Sequence, residues 1–381
     1  ARMSIWLRSR VLNRLLMAQH NPARRILPSM RTYLLLIPGI RAFWMCFLVM
    51  DNRNDQRAAI ECDLSPKKPK RLASLDIGTV TCRLLVADVF QNDCEELKRC
   101  VAITNLGVGV DKTHLLQDEA IERVVQQIAQ YVSVVNSFKT EEFPEIPIRA
   151  VATSAARDAQ NSALLVERLK ELGVNLSIIE GTREAALSFR GAAQGHEGEH
   201  LLVADIGGGS TELVFGIGGQ DPLTSHSFNI GCRRMTERFL ASDPPSEEEC
   251  NQLRSFVHDQ MKSYFAKAAQ RGCAIDRIIA VAGTATSVVS IEKRMEVYDS
   301  SQVHNTVVPC ETLERIFNNL CSMSLEQRKG VVGLEPARAS VIVAGLAILL
   351  EVLTLANCSS FTVSESDILQ GVLLTEQDFR P

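Results

Sequence analysis

Residues 201–217 read LLVADIGGGSTELVFGI. Two apolar runs flank Asp205-Ile206-Gly207-Gly208-Gly209-Ser210-Thr211, so the stretch predicts a strand, a tight turn and a second strand. An acid closes the first strand, and the turn is built from Gly, Ser and Thr. Gly has no Cβ to block close approach, so backbone N–H groups in such a turn can face an anion. Residues 72–89, LASLDIGTVTCRLLVADV, repeat the pattern around Asp76-Ile77-Gly78-Thr79. The copies stand about 130 residues apart and form the one internal repeat found. One copy alone is satisfied by an ordinary hairpin turn. The pair predicts two lobes, each opened by the same device.

Outward from the hairpins, strands and helices alternate. Ile121, Val124, Val125, Ile128 and Val132 predict a helix over 118–138. A strand at 148–152, a helix at 162–172, a strand at 177–180 and a helix at 183–193 follow. After the second hairpin come a helix at 246–270 and a buried strand at 277–282, which runs into Gly283-Thr284-Ala285-Thr286. Helices at 312–320 and 337–355, a strand at 361–363 and a closing helix at 367–374 complete the pattern. Strands with helices between them imply α/β layers. The expected organisation is an extension and linker at 1–70, a first lobe at 71–196 and a second at 197–381.

The 381 residues carry a net charge of −4, unevenly spread. Residues 1–50 hold eight Arg and no acid, leaving thirty-three basic against forty-five acidic residues over 51–381. That acidic body argues against nucleic acid as a partner, which needs a basic face. A polyanionic ligand must then be held by a local site. The eleven Cys include no C-x-x-C pair and no zinc spacing, and the seven His show no metal spacing. Reduced, half-buried thiols of a cytoplasmic protein are expected. Residues 33–50, YLLLIPGIRAFWMCFLVM, resemble a signal anchor, but Arg41 and Pro38-Gly39 interrupt the run. Three readings fit: a translated upstream segment, a membrane anchor or a folded extension. Helix 337–355 is apolar enough to suggest a homodimer, and a buried core helix accounts for it equally.

These residues resemble the exopolyphosphatase / guanosine pentaphosphate phosphohydrolase (Ppx/GppA) family, in its short two-domain form. The resemblance covers about residues 70–381 and carries its blocks in family order. They are LDIGTVTCRLLVADV, LGVGVD (106–111), VATSAARDAQN (151–161), IIEGTREAALSFRGA (178–192), VADIGGGSTELVFG (203–216), AVAGTATSV (280–288), GLEPARASVIVAGLAIL (333–349) and SESDILQGVLL (364–374). It implies a two-lobed actin-like ATPase (ribonuclease H-like) fold, each lobe a mixed sheet flanked by helices. Two departures stand out. The first loop, usually D-x-G-S-N-S, reads Asp76-Ile77-Gly78-Thr79-Val80-Thr81, and Arg183 replaces a usual Glu.

The resemblance further implies Mg²⁺-dependent hydrolysis of a phosphoanhydride by water, in polyphosphate or a phosphorylated guanosine nucleotide. Such a reaction needs neutralised phosphate oxygens, an in-line water and a proton acceptor. Phosphate contacts are expected from Gly78, Thr79, Thr81, Arg83, Arg157, Gly207, Gly208, Gly209, Ser210 and Thr211. Asp205, Glu212 and Asp76 are expected around the metal, since Mg²⁺ prefers oxygen ligands. Glu184 matches the family's general base. Each has a plainer alternative. Glu184 also suits a helix N-terminus, Asp205 a turn cap, Glu212 a solvated strand face and Arg83 a surface strand. Arg157 and Asn161 suit either ligand contact or capping at one helix start. A kinase of the same fold and a non-catalytic polyphosphate or alarmone sensor are the rival functions. A kinase would need an acceptor alcohol, and a sensor would bind without releasing phosphate.

Overall fold

The computed structural model describes residues 68–91 and 93–375. The Arg-rich stretch and the apolar run at 33–50 lie outside the described residues. Among the described residues no helix is long and apolar enough to cross a membrane.

Strands β1 (Lys70–Ile77), β2 (Thr81–Val89) and β3 (Cys94–Ile103) form an antiparallel meander. On the other side of β1, β4 (Ile148–Ala152) and β5 (Leu176–Ile178) run parallel to it, giving the order β3-β2-β1-β4-β5. The second sheet repeats the plan. Strands β6 (His200–Ile206), β7 (Thr211–Ile217) and β8 (Pro222–Phe228) form its meander. Strand β9 (Arg277–Val281) lies parallel to β6, and β10 (Val307–Pro309) pairs antiparallel with β11 (Ser360–Val363), giving β10-β11-β9-β6-β7-β8. The repeat seen in the two hairpins is therefore a repeat of five strands.

Local chemistry sets the helices around these sheets. In the Asp118–Ser137 helix the apolar residues fall on one face, and two acids occupy its first turn. Ser246 and Glu249 form a capping box that starts the Glu247–Gln270 helix. The Ile342–Ala356 helix is buried from Ile342 to Leu353 within the second core, so its apolar run needs no second copy. It begins later than expected. Arg338, Ala339 and Val341 bond three residues back, so the stretch before it turns as a 3₁₀ helix. The Gly283-Thr284-Ala285-Thr286 run lies inside a helix, Ala282–Glu292, rather than in a turn.

Two helices are exchanged between the sheets. Gly181–Ala192 follows the first sheet in sequence, yet Ala185, Phe189 and Ala192 pack on Leu201, Val203 and Val214 of the second. Ile368–Leu374 follows the second sheet, yet Leu369 and Leu373 pack on Leu72, Leu85 and Ala87 of the first. The two helices cross at glycines. A Cβ on Gly191 would lie 1.8 Å from the Asp367 carbonyl oxygen, and one on Gly371 would lie 1.9 Å from that of Leu187. The Ser74 hydroxyl donates to the Leu369 carbonyl, and Arg149 Nη1 donates to the carbonyls of Val372, Leu373 and Thr375. The C-terminal helix is thus fixed against the first lobe. The cysteines among the described residues are free thiols, with Cys82 and Cys232 buried and Cys273 half-buried.

Candidate active site

The two hairpins close with the same bond. Gly78 N–H donates to the Thr81 carbonyl at 2.8 Å, and Gly207 N–H to that of Ser210 at 3.0 Å. Ladder register then fixes what stands beside each acid. Asp76 pairs across the ladder with Arg83, and Asp205 with Glu212. One lobe therefore presents an acid beside a base, and the other an acid beside an acid.

The hairpin turns face each other across a cavity of about 1150 Å³. Gly78, Thr79, Thr81 and Arg83 line one side, and Gly207, Gly208, Gly209 and Ser210 the other, with Asp76, Asp205 and Glu184 among them. The loops nearly touch, since a Cβ on Gly208 would lie 2.7 Å from Val80 Cγ2 and 2.8 Å from Thr79 Cβ. Arg234 fastens this arrangement. Its Nε donates to the Gly209 carbonyl at 2.8 Å, and its Nη1 and Nη2 pair with Asp111 and Asp158 of the first lobe.

Glu184 lies in the first turn of its helix, 7% exposed. Its Oε2 accepts from Arg157 Nη1 at 3.0 Å, so Oε1 is not held by Arg157. Burial pushes its pKa up, Arg157 opposes this, and Asp205 and Asp76 add to it, giving about 8. Asp205 accepts from the Ser188 hydroxyl on the same helix. Burial raises its pKa to about 6, opposed first by Arg83. Glu212 is 1% exposed, takes the Ser227 hydroxyl at 2.6 Å, and titrates well above an ordinary carboxylate through burial and the charges of Glu184 and Asp205. Asp205, Glu212 and Ser227 stand in one row across β6, β7 and β8.

Several expected phosphate contacts are otherwise engaged. Thr211 is fully buried and its hydroxyl donates to the Ile230 carbonyl, because its side chain falls on the face of β7 turned from the cavity. Arg157 donates to Glu184 and to the Ile179 carbonyl, so it stands behind the carboxylate instead of lining the cavity. Arg83 lines the cavity with its guanidinium shared between Asp76 and Asp367. Glu212 lies beneath the cavity surface, not on a solvated face. Asn161 holds the Leu116 backbone through both amide atoms. The Ser154–Asp158 helix ends before it, so Asn161 and Arg157 share no helix face.

Four residues that matter here were not singled out by sequence. Ser188 is one helix turn beyond Glu184, a spacing that sequence does offer. Arg234 and Asp367 find partners far along the chain, and no local pattern announces them. Arg338 lines the cavity with its guanidinium over Gly283, where a Cβ would lie 1.3 Å from Nη1. Beside it the Ala282–Glu292 helix starts without a side-chain cap, and its first residues also line the cavity. A helix start with open N–H groups beside a guanidinium can hold an anion.

The chain is similar to proteins of known family. The profile of the Ppx/GppA phosphatase family matches residues 85–378. Exopolyphosphatase 2 of Mycobacterium tuberculosis is 34% identical over 325 residues, covering 80% of this chain and 98% of that protein. A bifunctional 3-dehydroquinate synthase/phosphatase of Fusobacterium nucleatum is 34% identical over 318 residues, which are 79% of this chain and 46% of that protein. Among solved structures, the Aquifex aeolicus Ppx/GppA family member has 31% identity and a TM-score of 0.67, with 81% of this chain and 97% of that chain covered. An exopolyphosphatase from Cytophaga hutchinsonii has 25% identity and a TM-score of 0.73, with coverage of 82% and 100%. The fold is the expected two-lobed, actin-like one, and the protein is a hydrolase of phosphoanhydrides. The chain belongs to the Ppx/GppA phosphatase family.

Proposed function

We propose that this protein releases terminal phosphate from inorganic polyphosphate by in-line attack of water in the cleft between its sheets, with Mg²⁺ bound near Asp205 and Asp76. The observation that carries this reading is that Glu184 and Asp205 line the same cavity as both hairpin turns. The residues fit such an ion. Asp76 Oδ1 is buried with no hydrogen-bond partner. Eight acidic residues line the cavity against five basic ones, so its own basic groups are too few to neutralise a long polyanion. Among the described residues no group of three or more His, Cys, Asp or Glu is spaced to hold a metal. That suits an ion that keeps its waters and takes one or two carboxylates, with phosphate supplying the rest. When bound, the ion would neutralise phosphate charge where it builds up.

The protein's own residues supply the other requirements. The turns 78–81 and 207–210 offer N–H groups and hydroxyls to terminal phosphate oxygens. Arg338 and the uncapped helix start beside it hold the next phosphate. Arg157 fixes one oxygen of Glu184, and the other takes the proton of the attacking water. Glu212 lies below the floor; burial and the charges of Glu184 and Asp205 raise its pKa, so a cation bound above it would favour its ionised form. A second substrate, a phosphorylated guanosine nucleotide, is supported by the half-exposed Tyr298 ring and by Val101 and Val332 in the same cavity. Such a surface suits a base better than a phosphate.

Phosphate release from long-chain polyphosphate, with and without Mg²⁺ and with no acceptor alcohol, tests the proposal. Release that needs Mg²⁺ but no acceptor supports it and excludes a kinase. Binding of polyphosphate without release would overturn it in favour of a sensor. Competition by guanosine pentaphosphate, with its hydrolysis, would support the second substrate.

A further inference from the structure

The β1–β2 ladder contains two arginine–aspartate pairs of different geometry. Arg71 meets Asp88 as a fork, Nε on Oδ1 and Nη2 on Oδ2, both at 2.8 Å. That two-oxygen arrangement is the usual one for guanidinium and carboxylate. Arg83 instead places Nε at 3.0 Å and Nη2 at 2.7 Å on the single oxygen Oδ2 of Asp76. Asp76 Oδ1 is left buried and without a partner, which costs free energy unless another group uses it.

The third participant is Asp367. Its Oδ2 accepts from Arg83 Nη1, and its Oδ1 accepts from the Leu369 N–H at 3.0 Å. It is both the N-cap of the C-terminal helix and an anchor for the guanidinium. The cap has little freedom, because the helix is wedged against Gly191 and bonded to the first sheet through Ser74 and Arg149. Arg71 Nη1 instead donates to the Phe138 carbonyl.

We infer that Asp367 is a positioning residue that holds Arg83 Nη1, prevents the guanidinium from taking both oxygens of Asp76, and so keeps Oδ1 open to a divalent cation or one of its waters. The inference rests on the metal reading above. It assigns the exchanged C-terminal helix a part in the site beyond packing.

The test is Mn²⁺ binding to the full chain without substrate, followed by electron paramagnetic resonance. Asp367→Asn keeps an oxygen for the cap and loses the charge that holds Arg83. It is expected to weaken Mn²⁺ binding about 10-fold or more, with the melting temperature nearly unchanged. In an Arg83→Met background the same substitution is expected to change binding less than about twofold, because Met cannot occupy Oδ1. Arg83→Met alone is expected to bind Mn²⁺ at least as well as wild type. Wild-type affinity in Asp367→Asn would overturn the inference and leave the metal reading intact. An equal loss in both backgrounds, or weaker binding in Arg83→Met, would also overturn it, since Asp367 would not then act through Arg83. No Mn²⁺ binding by wild type would overturn the metal reading itself.

Discussion

Gly208→Ala tests how closely the two hairpins must approach. The backbone of Gly208 lies outside the left-handed region, so an alanine there meets contacts, not torsional strain. Its Cβ would lie 2.7 Å from Val80 Cγ2, 2.8 Å from Thr79 Cβ and 3.1 Å from Thr79 Cγ2. Relaxed carbon contacts sit at about 3.5–4.0 Å. Thr79 and Val80 are β-branched and stiff, so the loops must separate by about 1 Å. Overpacking of this kind costs about 1–3 kcal/mol. A displacement of about 1 Å between catalytic parts can cost about 10²-fold in rate. Phosphate release by the variant at saturating Mg²⁺ should therefore fall about 10²-fold in kcat, with a melting temperature lowered by a few degrees. Val80→Ala added to Gly208→Ala removes the nearest contact and should restore part of the rate. A Gly208→Ala enzyme with wild-type kcat and KM would refute the argument that loop approach limits the reaction.

Other substitutions probe the neighbouring parts. Arg234→Met removes three donors that tie the second turn to the first lobe; denaturant titration should show a loss of about 1–3 kcal/mol, and KM should rise. Gly283→Ala places a Cβ on the Arg338 guanidinium, the far end of a flexible side chain; KM should rise about 10-fold while the melting temperature hardly moves. Glu184 has a folded pKa of about 8, above the ordinary 4.5. The folded state then holds its proton more tightly than the unfolded one, so this stabilisation is complete below about 4.5 and is lost as pH rises through 8. Metal-free Glu184→Gln should consequently gain melting temperature over wild type at pH 8–9 and little near pH 5.

How much was legible in sequence depends on the range of the interactions involved. Strands β1, β2, β6 and β7 are visible because their apolar runs and Gly/Ser/Thr turns are local. Strands β3 and β8, CEELKRCVAI and PLTSHSF, carry too few apolar residues to declare a period, and pairing with the hairpins makes them strands. The helix over 183–193 was legible, but not that it packs on the other sheet, since its buried face looks the same in either place. Asp205 and Glu184 could be found from motif blocks and reach the cavity. Thr211 could not be told from Ser210 by type: Ser210 stays in the turn and lines the cavity, while Thr211 opens β7 and buries its hydroxyl on the Ile230 carbonyl. Arg83, Asp76 and Asp367 show the limit most clearly. The first two are ladder partners seven residues apart, while the third arrives from 284 residues away.

Hydrolysis as proposed depends on Glu184 accepting the proton of the attacking water. The most direct measurement is the initial rate of phosphate release from long-chain polyphosphate by wild type and Glu184→Gln, both saturated with Mg²⁺. Gln is nearly isosteric and still accepts from Arg157, but it cannot take a proton. With Glu184 as the base, kcat should fall by about 10² or more in Glu184→Gln, with polyphosphate binding retained. A Glu184→Gln enzyme that releases phosphate within a few-fold of the wild-type rate would contradict it and place the base elsewhere.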